Sequence, residues 1–283
     1  MEFIDLKEQS RRYKAEISDR MQRVLDHGQF VMGPEIAEME SALAAYVDVK
    51  HCVSVASGTD SLEIALRALG VGFGDEVITV PFTWISTAEV ISLVGAKPVF
   101  VDIEPATFNI NVDLIEGAIT PRTKALLPVS LFGQMPDYAR INAIAKKHGL
   151  PVIEDAAQSF GAMQGRTRSC GATVIGSSSF FPAKPLGCYG DGGALFTDDD
   201  GLAEKFKAIR SHGGIVRHQH HLVGMNGRFD TLQAAVILGK WPHFEWEVAE
   251  RGRTGARYSS ALRSHCAVPE VPSPLPGAAE EQA

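Results

Sequence analysis

The chain has little that a membrane, a nucleic acid or an oxidising compartment would call for. No uninterrupted apolar run is long enough to span a bilayer, and the opening Met1–Lys7 lacks the basic-then-apolar order of a secretion signal. Basic residues are in the minority, 27 Lys and Arg against 34 Asp and Glu, and the resulting net charge of −7 argues against a nucleic-acid surface. Cysteine is scarce: Cys52, Cys170, Cys188 and Cys266 lie far apart, without metal-ligand or redox spacing. They are expected to be reduced thiols in a cytoplasmic protein. Three histidines close together, His218, His220 and His221, lack the helical pairing and the nearby acid or thiol of a metal site, so no metal is expected and the cluster is read as part of a polar loop.

What is present is an ordinary globular composition, 45% hydrophobic over 283 residues, enough for one large domain and a smaller appendage. An amphipathic stretch at Ile17–Leu25 leads through a glycine-bounded loop, Gly28–Pro34, to a helix expected over about Glu35–Tyr46. From residue 50 strands and helices alternate. Strands are expected at Val53–Ala56, Glu76–Val80, Pro98–Asp102, Ala125–Ser130, Pro151–Asp155 and Gly193–Thr197. A helix carries Leu62, Ala65, Leu66 and Leu69 on one face, and others run over Thr87–Leu93 and Leu232–Trp241. Such repetition implies an α/β fold whose mainly parallel sheet is covered by helices. Ligands of such sheets bind beyond the carboxyl ends of the strands, which is where the chemically notable residues fall.

Lys184 stands between Pro182-Ala183 and Pro185, after Ser179-Phe180-Phe181. A lysine among apolar neighbours loses hydration, its pKa falls, and its lone pair is freed to attack a carbonyl. Asp155 ends an apolar strand, where a carboxylate needs a cation or hydrogen-bond donors. A protonated pyridine nitrogen would serve, with Gln158 in reach of a ring hydroxyl. Ser57-Gly58-Thr59, between a strand and a helix, offers free amides and hydroxyls to an anion, and Ser179 adds another hydroxyl. Trp84 follows a strand directly and could stack on a planar ring. Asn226 and Arg228 form a polar pair in a glycine-rich loop, suited to a phosphate or carboxylate. Each has a plainer alternative: Ser57 as a helix cap, Asp155 as another, Trp84 as core packing, Lys184 as a lysine reaching out of a turn. Together they supply what pyridoxal phosphate needs: an amine for its aldehyde, an acid for its ring nitrogen, and donors for its phosphate.

The chain resembles the DegT/DnrJ/EryC1/StrS group of sugar aminotransferases. The likeness rests on Gly28–Pro34, Ser57-Gly58-Thr59, Glu154–Gly161, Ser179-Phe180-Phe181-Pro182 with Lys184, Gly190-Asp191-Gly192-Gly193, and Asn226-Gly227-Arg228 before Gln233-Ala234-Ala235. It runs from about residue 2 to about residue 250, and within the group it points to the UDP-2-acetamido-2-deoxy-3-oxo-glucuronate aminotransferases of bacterial O-antigen and lipopolysaccharide synthesis. The resemblance implies a fold type I, aspartate-aminotransferase-like transferase working as a homodimer with shared sites, taking an amino group from glutamate to a keto nucleotide sugar. Lys184 would carry the cofactor and move the substrate's proton, and Asp155 would hold the ring nitrogen protonated. Gly58, Thr59 and Ser179 would bind the phosphate, Gln158 and Trp84 the ring, and Asn226 would reach the partner's site. Gly28, Phe30 and Arg228 match positions that contact the nucleotide sugar.

Two departures are visible. Ala183 replaces a hydroxyl residue frequent in relatives. The end of the chain is rich in Pro, Ala and Glu where relatives continue into a small α/β domain. The expected organisation is therefore a cofactor-binding large domain with an N-terminal arm over 1–242, and over 243–283 a truncated remnant of the small domain with a disordered tail. Two alternatives remain open: a non-catalytic homologue that dimerises and binds the cofactor, and an aminotransferase for a 4-keto-6-deoxy nucleotide sugar. A sugar 3-dehydratase is disfavoured, because those relatives carry histidine in place of the lysine.

Overall fold

The computed structural model describes residues 4–216 and 218–265. Nine strands are described: β1 His51–Val55, β2 Glu76–Thr79, β3 Lys97–Phe100, β4 Thr123–Leu126, β5 Ile153–Asp155, β6 Met163–Gln164, β7 Thr167–Arg168, β8 Ile175–Ser179 and β9 Gly193–Thr197. The helices are α1 Leu6–Arg12, α2 Lys14–His27, α3 Pro34–Val47, α4 Gly58–Ala68, α5 Ser86–Leu93, α6 Val112–Ala118, α7 Tyr138–His148, α8 Asp200–Arg210, α9 Thr231–Lys240 and α10 Phe244–His265. None of the described helices is long and apolar enough to cross a membrane.

The central sheet forms from two ladders. One has the order β1-β9-β8-β5 and the other β3-β2-β4, and parallel bridges Leu126–Val152 and Val129–Asp155 stitch them together. Read across, the order is β1-β9-β8-β5-β4-β2-β3, with β9 alone antiparallel to its neighbours. The expectation of a mostly parallel, helix-covered sheet therefore holds. The strand expected over Ala125–Ser130 is instead assigned at Thr123–Leu126. Beyond it Pro128 has no N–H to continue the ladder, although its carbonyl still accepts from the Asp155 amide at 3.0 Å. The β6–β7 pair is a separate two-stranded hairpin.

Most strands are buried throughout, as covering on both faces demands. One apolar cluster lies under α4, α5 and α8 around Leu66, Ile91 and Phe206. Another lies under α3 and α9 around Met39, Phe180 and Phe196, and Phe244 and Val248 of α10 pack into it. The expected division at 242/243 falls in the short turn Trp241–His243 between α9 and α10. The expected disordered tail, with Cys266, begins within residues 266–283, which lie outside those described.

One buried ionic knot fixes the strand that leads to the phosphate-type loop. Arg210, at the end of α8, donates to Glu40 of α3 at 2.7 Å and to the Ser54 carbonyl of β1 at 2.8 Å. Glu40 also accepts from the Ser54 amide and hydroxyl. Breaking one partner of such a pair strands a charge, so α3, β1 and α8 are held in one arrangement.

Candidate active site

All strands of the central sheet but β9 point the same way, so the turns after β1, β2, β5 and β8 open on one edge of the sheet. The sequence-expected groups sit there. Ser57, Gly58 and Thr59 follow β1; Trp84 follows β2; Asp155 ends β5 with Gln158 in the next turn; Ser179 ends β8 with Lys184 in the loop beyond.

The turn after β1 is built for an anion. The Ser57 hydroxyl caps α4 by accepting from the Asp60 amide at 3.0 Å, so the amides left at the helix start are those of Gly58 and Thr59. Gly58 lies against Ser179: a Cβ at residue 58 would sit 2.5 Å from the Ser179 Cβ. Only glycine lets the helix start and the β8 hydroxyl approach so closely. Gly193 of β9 does the same from the other side, where a Cβ would lie 2.5 Å from the Ser57 carbonyl oxygen. The capping alternative for Ser57 is thus correct, and it leaves the neighbouring amides and the Ser179 and Thr59 hydroxyls for a ligand.

Asp155 is 5% exposed. Its Oδ2 accepts from the Thr87 hydroxyl at 2.8 Å and its Oδ1 from the Ala157 amide at 3.2 Å. Burial pushes the carboxyl up from the usual aspartate range, opposed first by Thr87, then by the Ala157 amide and the charge of Lys184. Lys184 shows the complementary effect: burial lowers its ammonium pKa and the Asp155 charge raises it. The two therefore sense each other across the site. A half-buried amine with a weakened hold on its proton and a buried acid lacking a full counter-charge fit the aldehyde and ring nitrogen of pyridoxal phosphate.

Behind Asp155 its neighbour Glu154 points into a polar pocket of its own. It accepts from Ser130 at 2.8 Å, Ser169 at 2.7 Å and the Cys170 amide at 2.8 Å, yet complete burial raises its pKa to about 7.

Trp84 is 69% exposed, which sets aside core packing and leaves its indole available at the rim. Gln158 is half-buried in the turn after β5. Asn226 is exposed in a loop whose Gly227 carbonyl accepts from the Ala56 amide at 2.9 Å, beside the phosphate-type turn. Phe30 is exposed, and its carbonyl accepts from the Thr231 amide at 3.0 Å, while Val31 bridges Asp230. The Gly28–Pro34 loop is therefore seated on Asp230 and Thr231, which follow half-buried Arg228 by two and three residues, with Gly28 turning the chain at the end of α2 in the left-handed region, φ 71°. Among the described residues no hydrogen bond or ion pair joins Gly28, Phe30, Arg228 or Asn226 to Lys184 or Asp155.

Two residues escaped the sequence reading. Thr87 orients Asp155, and Ser86 pairs its hydroxyl with Thr59 at 3.0 Å, joining the starts of α4 and α5. Thr83 in turn meets Thr87 at 3.0 Å. The signal was there in Thr83, Ser86 and Thr87, hydroxyl residues gathered between a strand and the first turn of the next helix.

Comparison with known proteins bears on the chain as a whole. Residues 11–276 match the DegT/DnrJ/EryC1/StrS aminotransferase family. A UDP-2-acetamido-2-deoxy-3-oxo-D-glucuronate aminotransferase from Pseudomonas aeruginosa is 56% identical over 263 residues, 93% of this chain and 73% of that protein. The crystal structure of a DegT DnrJ EryC1 StrS aminotransferase from Brucella abortus superposes with a TM-score of 0.93 at 43% identity, over 96% of this chain and 75% of the other. NtdA from Bacillus subtilis, solved with bound cofactor PMP, superposes with a TM-score of 0.85 at 34% identity, over 93% and 61% of the two chains.

Proposed function

Since the chain belongs to the DegT/DnrJ/EryC1/StrS aminotransferase family, we propose that Lys184, Asp155 and the start of α4 form its active site and that it aminates UDP-2-acetamido-2-deoxy-3-oxo-glucuronate. The chain is a pyridoxal-phosphate transaminase acting on a keto nucleotide sugar. The sugar, glutamate as donor, a role in O-antigen synthesis, a cytoplasmic setting and the division at 242/243 are proposals. The observation that carries the site is the convergence of Lys184, Asp155 and the Gly58–Ser179 contact on one edge of the sheet.

Pyridoxal phosphate, when bound, supplies an aldehyde that carries the amino group and a protonated ring that draws electrons from the breaking C–H bond. The Gly58 and Thr59 amides and the Ser179 and Thr59 hydroxyls would hold its phosphate. Asp155, kept in place by Thr87 and the Ala157 amide, would pair with the ring nitrogen, and a cation there would offset the cost of its burial. Gln158 would serve the ring oxygen and Trp84 a ring face. Lys184 would be the amine that carries the aldehyde and, when free, the group that takes and returns the substrate proton, work for which its lowered pKa suits it. Arg228, a half-buried cation two residues before the Asp230 seat of the Gly28–Pro34 loop, suits the uronate carboxylate or the diphosphate.

Exposed apolar side chains at Phe30, Val31, Met32, Trp84, Ile85 and Phe181 on the site-bearing loops support a homodimer, with Asn226 serving the partner's site. Mixing Lys184→Ala with Asn226→Ala chains should restore activity in the mixed dimer; a dead mixture would sink the shared site. The reaction itself is tested by borohydride reduction, which should label Lys184 with a pyridoxyl group. In a separate sample that has not been reduced, glutamate should convert the bound cofactor to its amine form. Turnover should favour UDP-3-keto-uronate over 4-keto-6-deoxy sugars, and the reverse preference would overturn the substrate assignment.

A further inference from the structure

Lys240, the last residue of α9, is 3% exposed and, among the described residues, has no carboxylate in hydrogen-bonding contact. Its ammonium donates to the Gly187 carbonyl at 2.6 Å and to Gln9 Oε1 at 2.9 Å, and lies 4.8 Å from the centroid of the Tyr189 ring. A second cation reaches the same loop: Arg251 of α10 donates to the Pro185 carbonyl at 3.0 Å. One carboxylate serves both. Glu247 lies 3.6 Å from Arg251 and accepts from Gln9 at 3.0 Å, the same side chain that accepts from Lys240. Tyr13 donates to Glu247 at 2.9 Å, so α1, α9 and α10 meet at this knot.

The gripped carbonyls belong to the first and third residues after Lys184. The loop between Phe180 and Cys188 has no regular secondary structure, and its own bonds are few. The Cys188 amide closes it onto the Phe180 carbonyl at 2.8 Å, and the Lys184 amide donates to the Phe181 carbonyl at 2.8 Å. It is also tightly folded, since a Cβ on Gly187 would lie 2.4 Å from the Pro182 carbonyl oxygen. Burying an ammonium against neutral partners is costly, and burial lowers the Lys240 pKa to about 8 against the pull of Glu247. An apolar residue of similar volume would fill the space at less cost. What it could not do is hold a backbone carbonyl at a fixed point.

We propose that Lys240, aided by Arg251, is a positioning residue for the reaction: it clamps the 180–188 loop so that Lys184 is presented to the carbon it must join. Neither residue touches the reacting atoms. This rests on the role proposed above for Lys184.

The test separates positioning from folding by using two forms of the cofactor in the full chain. Pyridoxal phosphate can bond to Lys184; pyridoxamine phosphate binds the same phosphate and ring contacts but cannot. Losing a charge-assisted bond to the loop in Lys240→Met should raise the Kd for pyridoxal phosphate about tenfold and leave that for pyridoxamine phosphate within about twofold. Arg251→Gln, at a solvent-facing position, should shift the first Kd about threefold in the same direction, and Lys240→Arg should fall between wild type and Lys240→Met. Equal weakening of both forms, or no change in either, overturns the clamp. If Lys240→Met does not fold, Arg251→Gln decides by the same ratio. A wild-type chain in which borohydride fails to label Lys184 would instead sink the role of Lys184 itself.

Discussion

Replacing Thr87 by valine removes one hydroxyl and leaves the side-chain shape almost unchanged. Thr87 is fully buried, and its hydroxyl is the only side chain donating to Asp155 among the described residues, at 2.8 Å. With the hydroxyl gone, Oδ2 of a buried carboxylate loses its donor, at a cost of about 1.5–3 kcal/mol while Asp155 is ionised. When Asp155 is protonated the lost bond is between neutral groups and costs about 1 kcal/mol or less. Burial already raises the Asp155 pKa and Thr87 lowers it, so the substitution raises it further. A carboxyl raised on folding contributes stability below its unfolded pKa and loses that contribution as pH rises through the folded value. The deficit of Thr87→Val should therefore widen from acid toward neutral pH. Urea unfolding of the cofactor-free protein at about pH 5 and about pH 8 reads it, since every other titrating group is the same in the two variants. Thr87→Ser, which keeps the hydroxyl, should restore the pH dependence of wild type. A deficit equal at both pH values, or absent at both, would refute the reasoning that Thr87 acts through the Asp155 charge.

Other expected outcomes follow from the same geometry. Lys184→Ala should abolish borohydride-fixed cofactor and lower turnover by about a thousandfold or more, read by absorbance and by steady-state kinetics. Gly58→Ala brings a methyl within 2.5 Å of the Ser179 Cβ. The overpacking should cost about 1–3 kcal/mol and weaken both cofactor forms together, measured by titration of the cofactor-free protein. Glu154, raised from 4.5 to about 7 by burial, contributes stability below its ordinary range and loses about 3 kcal/mol of it as pH rises through about 7. Glu154→Gln should flatten that part of the stability–pH curve; an unchanged slope would mean that another group titrates there.

Five of the ten described helices (α2, α3, α4, α5 and α9) and most strands were legible because their signals are local, while α1, α6, α7, α8 and α10 were not read from the sequence. Apolar residues at helical spacing marked α3, α4 and α9, and short apolar runs before Ser57 and ending at Asp155 marked β1 and β5. β8 was not legible as a strand. Ile175-Gly176-Ser177-Ser178-Ser179 has little β propensity, and its small residues make sense only in place. A Cβ at Gly176 would lie 2.3 Å from the Cys170 carbonyl oxygen, Ser177 meets Ser61 of α4, and Ser179 lies against Gly58. The strand is made of small residues because helix and sheet approach closely there.

From sequence alone came the chemical kinds: an amine in apolar company, an acid at a strand end, a glycine at a helix start, and the order in which they occur along the chain. Those depend on neighbours in sequence, and periodicity and side-chain chemistry suffice to read them. Tertiary structure alone decided the partnerships. It set β9 antiparallel between β1 and β8, brought Thr87 to Asp155 across 68 residues, and brought Lys240 to the loop of Lys184. Nothing local encodes those pairings. They follow from the order of strands in the sheet and from which helices pack on its faces, and these are settled by burying the whole chain's apolar surface at once.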